Sequence, residues 1–70
     1  MNIRAELEDL VRSALRLSGP TSIDHLVGLV PSASWSQIFL AVDRLSRSGL
    51  VTLRRTPHGE YRVALNGLAA

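Results

Sequence analysis

Residues 34–55 read SWSQIFLAVDRLSRSGLVTLRR. The first part of this stretch repeats apolar residues every three or four positions, which is typical of an amphipathic helix. After Gly49 the repeat shortens to two positions, which predicts a β-strand with one face on a core. We therefore predict a helix over about residues 35–48 that passes without a linker into a strand over about residues 50–55.

The start of this helix and its two faces can be assigned from the same stretch. Ser34 and Gln37 have the spacing of a capping box, in which each residue bonds the backbone of the other. At 100° per residue, one face is apolar and is predicted to be core, with Trp35 as a core or staple residue: Trp35, Ile38, Ala41, Val42 and Leu45. The other face is mixed, with Phe39 at the boundary: Ser36, Gln37, Leu40, Asp43, Arg44 and Arg47.

Two further helices precede this one. A periodic apolar pattern predicts the first over about residues 3–18, capped by Asn2. Thr21 is predicted to cap the second, over about residues 22–30, with Asp24 as its capping-box partner. The chain is thus predicted to be mainly α, with a β-hairpin at its C-terminal end.

A second strand is predicted over about residues 60–65, and two registers bring the same faces inward. A loop of residues 57–59 places Arg54 opposite Arg62, a costly pairing of like charges. A longer loop places Arg54 opposite Glu60 as an ordinary surface ion pair. Loop-length preferences favour the shorter loop.

The composition limits the class of protein. Seventy residues make one domain, residues 1–70, with residues 66–70 predicted as a frayed tail. Because 46% of the residues are apolar but Trp, Tyr and Phe occur once each, the core must be aliphatic. No apolar run approaches the roughly 20 residues that span a bilayer, so a cytoplasmic protein without a membrane partner is expected.

Catalytic and metal-binding chemistry has little support in the chain. There is no cysteine, which excludes disulfides and thiolate sites. His25 and His58 are isolated from other catalytic or ligating residues; His25 is interpreted as a partly buried or surface residue and His58 as an exposed turn residue. We therefore predict no enzyme activity, no metal and no cofactor.

Positive charge is concentrated in the second half of the chain. Residues 36–70 contain five arginines against Asp43 and Glu60, a balance of +3, while the first 35 residues carry −1. Every basic residue is arginine, whose planar fork suits phosphate and carboxylate groups.

The step from helix to strand in residues 41–51, AVDRLSRSGLV, resembles the third helix and wing entry of winged helix-turn-helix domains in small bacterial transcription regulators. Residues 21–30 resemble the second helix of that family, and residues 54–61 its wing tip. The resemblance implies a transcription regulator that binds double-stranded DNA, with the third helix in the major groove and the wing on the backbone or minor groove.

Carried onto this chain, the resemblance implies a set of DNA-binding residues on the third helix and the wing: Ser36, Gln37, Leu40, Arg44, Arg47, Arg54, Arg55, His58 and Arg62. Gln and Arg are side chains that read base edges, whereas Arg47 would hold a phosphate. Asp43 opposes this interpretation unless Arg47, four residues on, neutralises it. The alternative is that these residues form an ordinary solvent-exposed helix face without a DNA partner, since such a face has the same composition.

Two protein contacts remain as alternatives. Exposed Leu40 and Phe39 could instead dock a protein partner, as in winged helices that bind only proteins. The first helix carries more apolar residues than one buried stripe needs, among them Leu10 and Leu17. A homodimer through that helix or through the tail at Leu68, and a monomer with a partly apolar surface, are both open.

Overall fold

The computed structural model of the chain describes residues 3–67, with side chains from residue 5 onward. Its elements are α1 (Ile3–Ser18), β1 (Thr21–Ser22), α2 (Ile23–Leu29), α3 (Trp35–Arg47), β2 (Val51–Arg55) and β3 (Tyr61–Leu65). The three predicted helices and the two predicted strands are confirmed to within one residue at each end. The predicted cap Asn2 and the predicted contact residue Leu68 lie outside the described residues.

The third strand, β1, was not predicted. It pairs antiparallel with β3 through Thr21 and Ser22, which gives a three-stranded sheet of order β1-β3-β2. The prediction that Thr21 caps α2 is therefore wrong: Ser22 is the N-cap, and its Oγ accepts the backbone N–H of His25 at 3.1 Å. A strand of two residues is too short to show an alternating pattern. The sequence at Thr21 and Ser22 therefore indicates only a helix cap and not a strand.

The core is entirely aliphatic among the described residues, as the composition predicted. Every helix, β2 and β3 contribute to it: Val11, Ala14, Leu15, Ile23, Leu26, Val30, Ile38, Ala41, Val42, Leu45, Val51 and Val63. Within residues 3–67 no helix combines the length and the apolar character that a membrane crossing requires.

Both ends of α3 are stabilised by local hydrogen bonds. The capping box is confirmed, because Ser34 Oγ accepts from Gln37 N and Gln37 Oε1 accepts from Ser34 N. At the other end Gly49 has φ 80°, and the N–H of Leu50 donates to the carbonyl of Leu45 at 3.0 Å. This six-to-one bond is the Schellman arrangement, which turns the chain directly from α3 into β2.

The prediction that Trp35 belongs to the core is wrong. Its side chain is 40% exposed, and its Nε1–H donates to Asp24 Oδ1 at 2.9 Å. A helical wheel places Trp35 on the same side as Ile38, but it does not show where the core ends along the helix axis. An indole at the first turn of α3 therefore lies at the edge of the core, where its N–H can find a partner.

The prediction that a frayed tail begins at residue 66 is wrong, since Asn66 is held on both sides, and residues 68–70 of that predicted tail lie outside the described residues. Its side-chain N–H donates to the carbonyl of Gly49 at 2.6 Å, and its Oδ1 accepts from Thr52 Oγ1. Its backbone N–H donates to the carbonyl of Leu50 at 3.1 Å. Asn66 thus closes the sheet against the α3–β2 junction, a role that its sequence neighbours do not indicate.

Candidate nucleic-acid interface

The β2–β3 hairpin has the shorter of the two predicted loops. Gly59 N–H donates to the Thr56 carbonyl at 2.9 Å, and Thr56 N–H donates to the Glu60 carbonyl at 2.8 Å. Pro57 occupies the second position of this turn, and Gly59 has φ 83°. The geometry is that of a type I turn followed by a left-handed residue, which is a common three-residue hairpin loop.

This loop sets the register of the arginines. Arg54 lies directly opposite Arg62, and Arg55 lies opposite Tyr61. The alternative pairing of Arg54 with Glu60 is therefore wrong. Glu60 instead accepts from Arg62, with 3.1 Å between Arg62 Nη1 and Glu60 Oε1.

The hairpin keeps an excess of positive charge in spite of that pair. Arg54, Arg55 and Arg62 are all exposed and line a depression of about 490 Å³, together with Thr56 and Pro57. Like charges directly opposed across two strands lower the stability of the hairpin. A phosphate or carboxylate in this depression would offset the repulsion and accept hydrogen bonds from more than one guanidinium.

Arg55 lines that depression and also contacts Tyr61, which belongs to an aromatic cluster formed by Trp35, Phe39 and Tyr61. Its Cζ lies 5.9 Å from the centre of the Tyr61 ring, which is a cation–π contact. Phe39 meets Tyr61 edge to face, with ring centres 5.2 Å apart, and stacks on Trp35 at 5.3 Å. The aromatic cluster therefore joins the first half of α3 to the strand that carries Arg62.

The open face of α3 is formed by Ser36 and by the residues four, seven and eleven positions after it, which are Leu40, Asp43 and Arg47. Leu40 is 53% exposed, so no neighbouring element covers it. Asp43 Oδ2 lies 3.1 Å from Arg47 Nη2, which confirms the predicted pair, and the Arg47 side chain remains 78% exposed. Asp43 is thus neutralised by a residue that still reaches solvent.

Two residues predicted to face DNA are engaged elsewhere. Arg44 Nε lies 3.2 Å from Glu8 Oε2 of α1, and the two side chains are 34% and 26% exposed. Its position on the wheel was correct, but the sequence did not show that α1 packs along that flank. Gln37 Oε1 is occupied by the capping box, which leaves its amide N–H groups available.

The remaining predicted residue, His58, is exposed at the tip of the hairpin loop. Sequence reasoning missed Trp35 and Tyr61 as parts of this region and Glu8 as the partner of Arg44. Only the spacing of Trp35 and Phe39, four residues apart on one helix, was an available signal. Among residues 3–67, no three acidic or histidine side chains come close enough together to share a metal ion.

Comparison with protein-family models, with curated proteins and with solved structures gave no significant match.

Proposed function

We propose that this chain is a winged helix-turn-helix domain that binds double-stranded DNA as a transcription regulator. The observation that carries the proposal is the pair Arg54 and Arg62, held side by side on an exposed hairpin with Glu60 as their one close carboxylate partner among the described residues. The three helices and the three-stranded antiparallel sheet are compatible with a winged-helix layout.

In this proposal α3 enters the major groove, which is wide enough to admit one helix. Ser36 and the free amide N–H groups of Gln37 would meet base edges, and Leu40 would contact a thymine methyl group. Arg47, near the end of the helix, would reach a phosphate. Arg44 would contribute only if DNA competes with Glu8, so we assign it no direct role at first contact.

The hairpin would act as the wing. Arg54 and Arg62 would bind phosphates, and Arg55 and His58 would meet the backbone or the minor groove beside them. Because the aromatic cluster fixes Tyr61 against Phe39, the wing and α3 would approach DNA as one surface. Most of the affinity in this arrangement comes from phosphate contacts and is independent of sequence.

The salt dependence of duplex binding tests this proposal. We expect the logarithm of the association constant for a short random duplex to fall linearly with the logarithm of salt concentration. Each of Arg54→Ala and Arg62→Ala should reduce the slope by about 0.9, the value for one phosphate contact. Fluorescence anisotropy of a labelled duplex gives the slopes.

Arg16→Ala is the matched control, because it removes the same charge from an exposed position of α1 outside the proposed DNA interface, and the slopes are measured at protein concentrations at which the chain is monomeric. Its slope should equal that of the unmodified chain. Equal slopes for all four proteins, or no duplex binding at low salt, would contradict the proposal.

The second candidate is a protein-binding domain that docks a partner through Leu40. The exposure of Leu40 favours it, whereas Phe39 is partly buried in the aromatic cluster and offers only part of its ring. Titration of random duplex DNA into isotope-labelled protein separates the two candidates. Amide shifts confined to α3 and the hairpin support DNA binding, and their absence at high concentration supports a protein partner.

A further inference from the structure

Exposed apolar side chains occur on a second surface of the molecule, away from the open face of α3. Leu10 and Leu17 are seven positions apart on α1 and are 48% and 91% exposed. Leu17 also lines a depression of about 300 Å³ with Ala14 and with Leu29 of α2, which is 44% exposed. Leu10, Leu17 and Leu29 form what we call the α1 strip.

Charged residues are arranged along one edge of the α1 strip. Asp9 and Arg16 are also seven positions apart, so both lie on the same side of Leu10 and Leu17. Acidic residues occupy the first half of the helix and Arg16 its last turn. Among the described residues, neither Asp9 nor Arg16 forms an ion pair within the chain.

We propose that the α1 strip binds a second copy of this chain, with the two α1 helices antiparallel about a two-fold axis near Ser13. Such an axis places each residue of one copy opposite the residue of the other copy that lies about equally far on the other side of Ser13. It brings Leu10 of one copy beside Leu17 of the other, and Asp9 beside Arg16 of the other. A two-fold axis repeats every contact, so one dimer contains two such pairs of each kind.

The charge pattern is what favours a second copy over another partner. A two-fold axis of this kind places the same edge of both helices together, so an acidic half meets a basic half on that edge. Parallel pairing would instead bring opposite edges of the two helices together, so the edge that carries Asp9 and Arg16 would not meet its own copy. Leu10 of one copy would also enter the depression between Leu17 and Leu29 of the other copy.

This inference does not depend on DNA binding, and it is tested on the full chain without DNA. We expect sedimentation equilibrium to show a monomer–dimer equilibrium, in the micromolar range because one helix and the edge of another form a small interface. Leu17→Gln should weaken dimerisation about tenfold or more, since it removes an apolar contact on each side of the axis. Leu40→Gln, the same substitution at an exposed leucine of α3, should leave dimerisation unchanged.

Charge reversal tests the antiparallel geometry itself. Asp9→Arg alone and Arg16→Asp alone should each weaken dimerisation about tenfold or more, because both create repulsive pairs across the axis. An equimolar mixture of these two variants should recover the unmodified affinity, since the heterodimer restores both attractive pairs. High salt should reduce that recovery.

Three results would overturn the proposal. They are a monomer at every accessible concentration, a dimer indifferent to Leu17→Gln and to both charge reversals, and a mixture that dimerises no better than either variant alone. Circular dichroism of each variant at dilute concentration confirms that α1 remains folded in the comparison.

Discussion

Gly59 determines the geometry of the hairpin tip. It has φ 83°, in the left-handed region that a side chain makes costly. A methyl group added there would meet nothing closer than Arg55 Nη2 at 3.7 Å, which is ordinary contact. Any effect of substitution at this position is therefore conformational and not steric.

Gly59→Ala should accordingly lower the free energy of unfolding by about 1 kcal/mol, since strain of order 1–3 kcal/mol is partly offset by a less flexible unfolded chain. Gly28→Ala is the matched control, because Gly28 lies in α2 and open space surrounds an added methyl group. There alanine should stabilise by about 0.5–1 kcal/mol. Urea unfolding followed by circular dichroism measures both, and a stabilising Gly59→Ala would contradict the assigned turn.

At the scale of elements, the aromatic cluster is one of the contacts that hold the hairpin against α3, beside the turn into β2 and the shared aliphatic core. The Trp35–Tyr61 centres are 6.3 Å apart at 62°, and Phe39 lies between them in contact with both rings. The only tryptophan, tyrosine and phenylalanine of the chain are therefore grouped at one junction instead of being dispersed in the core. These contacts lie at the junction of α3 with the hairpin and contribute to its packing.

A double-mutant cycle on Phe39→Leu and Tyr61→Leu tests this connection. We expect a coupling free energy of about 0.5–1.5 kcal/mol, the contribution of an aromatic pair beyond its buried area. The cycle of Leu40→Ala with Tyr61→Leu is the control, because Leu40 is adjacent in sequence but lies on the open face. Equal coupling free energies in the two cycles would show that the aromatic cluster does not couple α3 to the hairpin.

At the scale of the whole molecule, one ion pair links the first helix to the third. Glu8 and Arg44 are 36 positions apart in sequence and meet at 3.2 Å. The pair helps to position α3, and it also withholds one arginine from the proposed DNA interface. Stability and DNA affinity should therefore respond in opposite directions when it is broken.

We expect Glu8→Gln to lower the free energy of unfolding by about 0.5–1 kcal/mol at low salt, as for a partly exposed pair. The same change should raise duplex affinity, because it removes a negative charge and releases Arg44 toward phosphates. Glu6→Gln removes an equal charge from an exposed position of α1 and should affect both quantities less. A Glu8→Gln protein with weakened duplex binding would contradict this account.

Local patterns in the sequence were sufficient where the deciding interactions are local. The capping box at Ser34, the stop at Gly49 and the three-residue loop before Glu60 each depend on contacts a few residues apart, so their spacing predicted them. The alternation of strand residues limited the hairpin to registers that keep Leu53 facing the core, and the preference for a short loop then placed Arg54 opposite Arg62. The most positively charged part of the proposed interface was thus predictable.

Contacts between distant segments were decided only by the tertiary structure. The pairing of Thr21 with Val63, the ion pair of Arg44 with Glu8 and the clamp of Asn66 on Gly49 each join residues with no shared local pattern. A periodic pattern shows which side of an element is apolar, but not which neighbour packs on its flank or where the core ends. For that reason the sequence determined the three helices, the cap of α3 and the register of the hairpin, while tertiary packing added β1 and decided which arginines remain free.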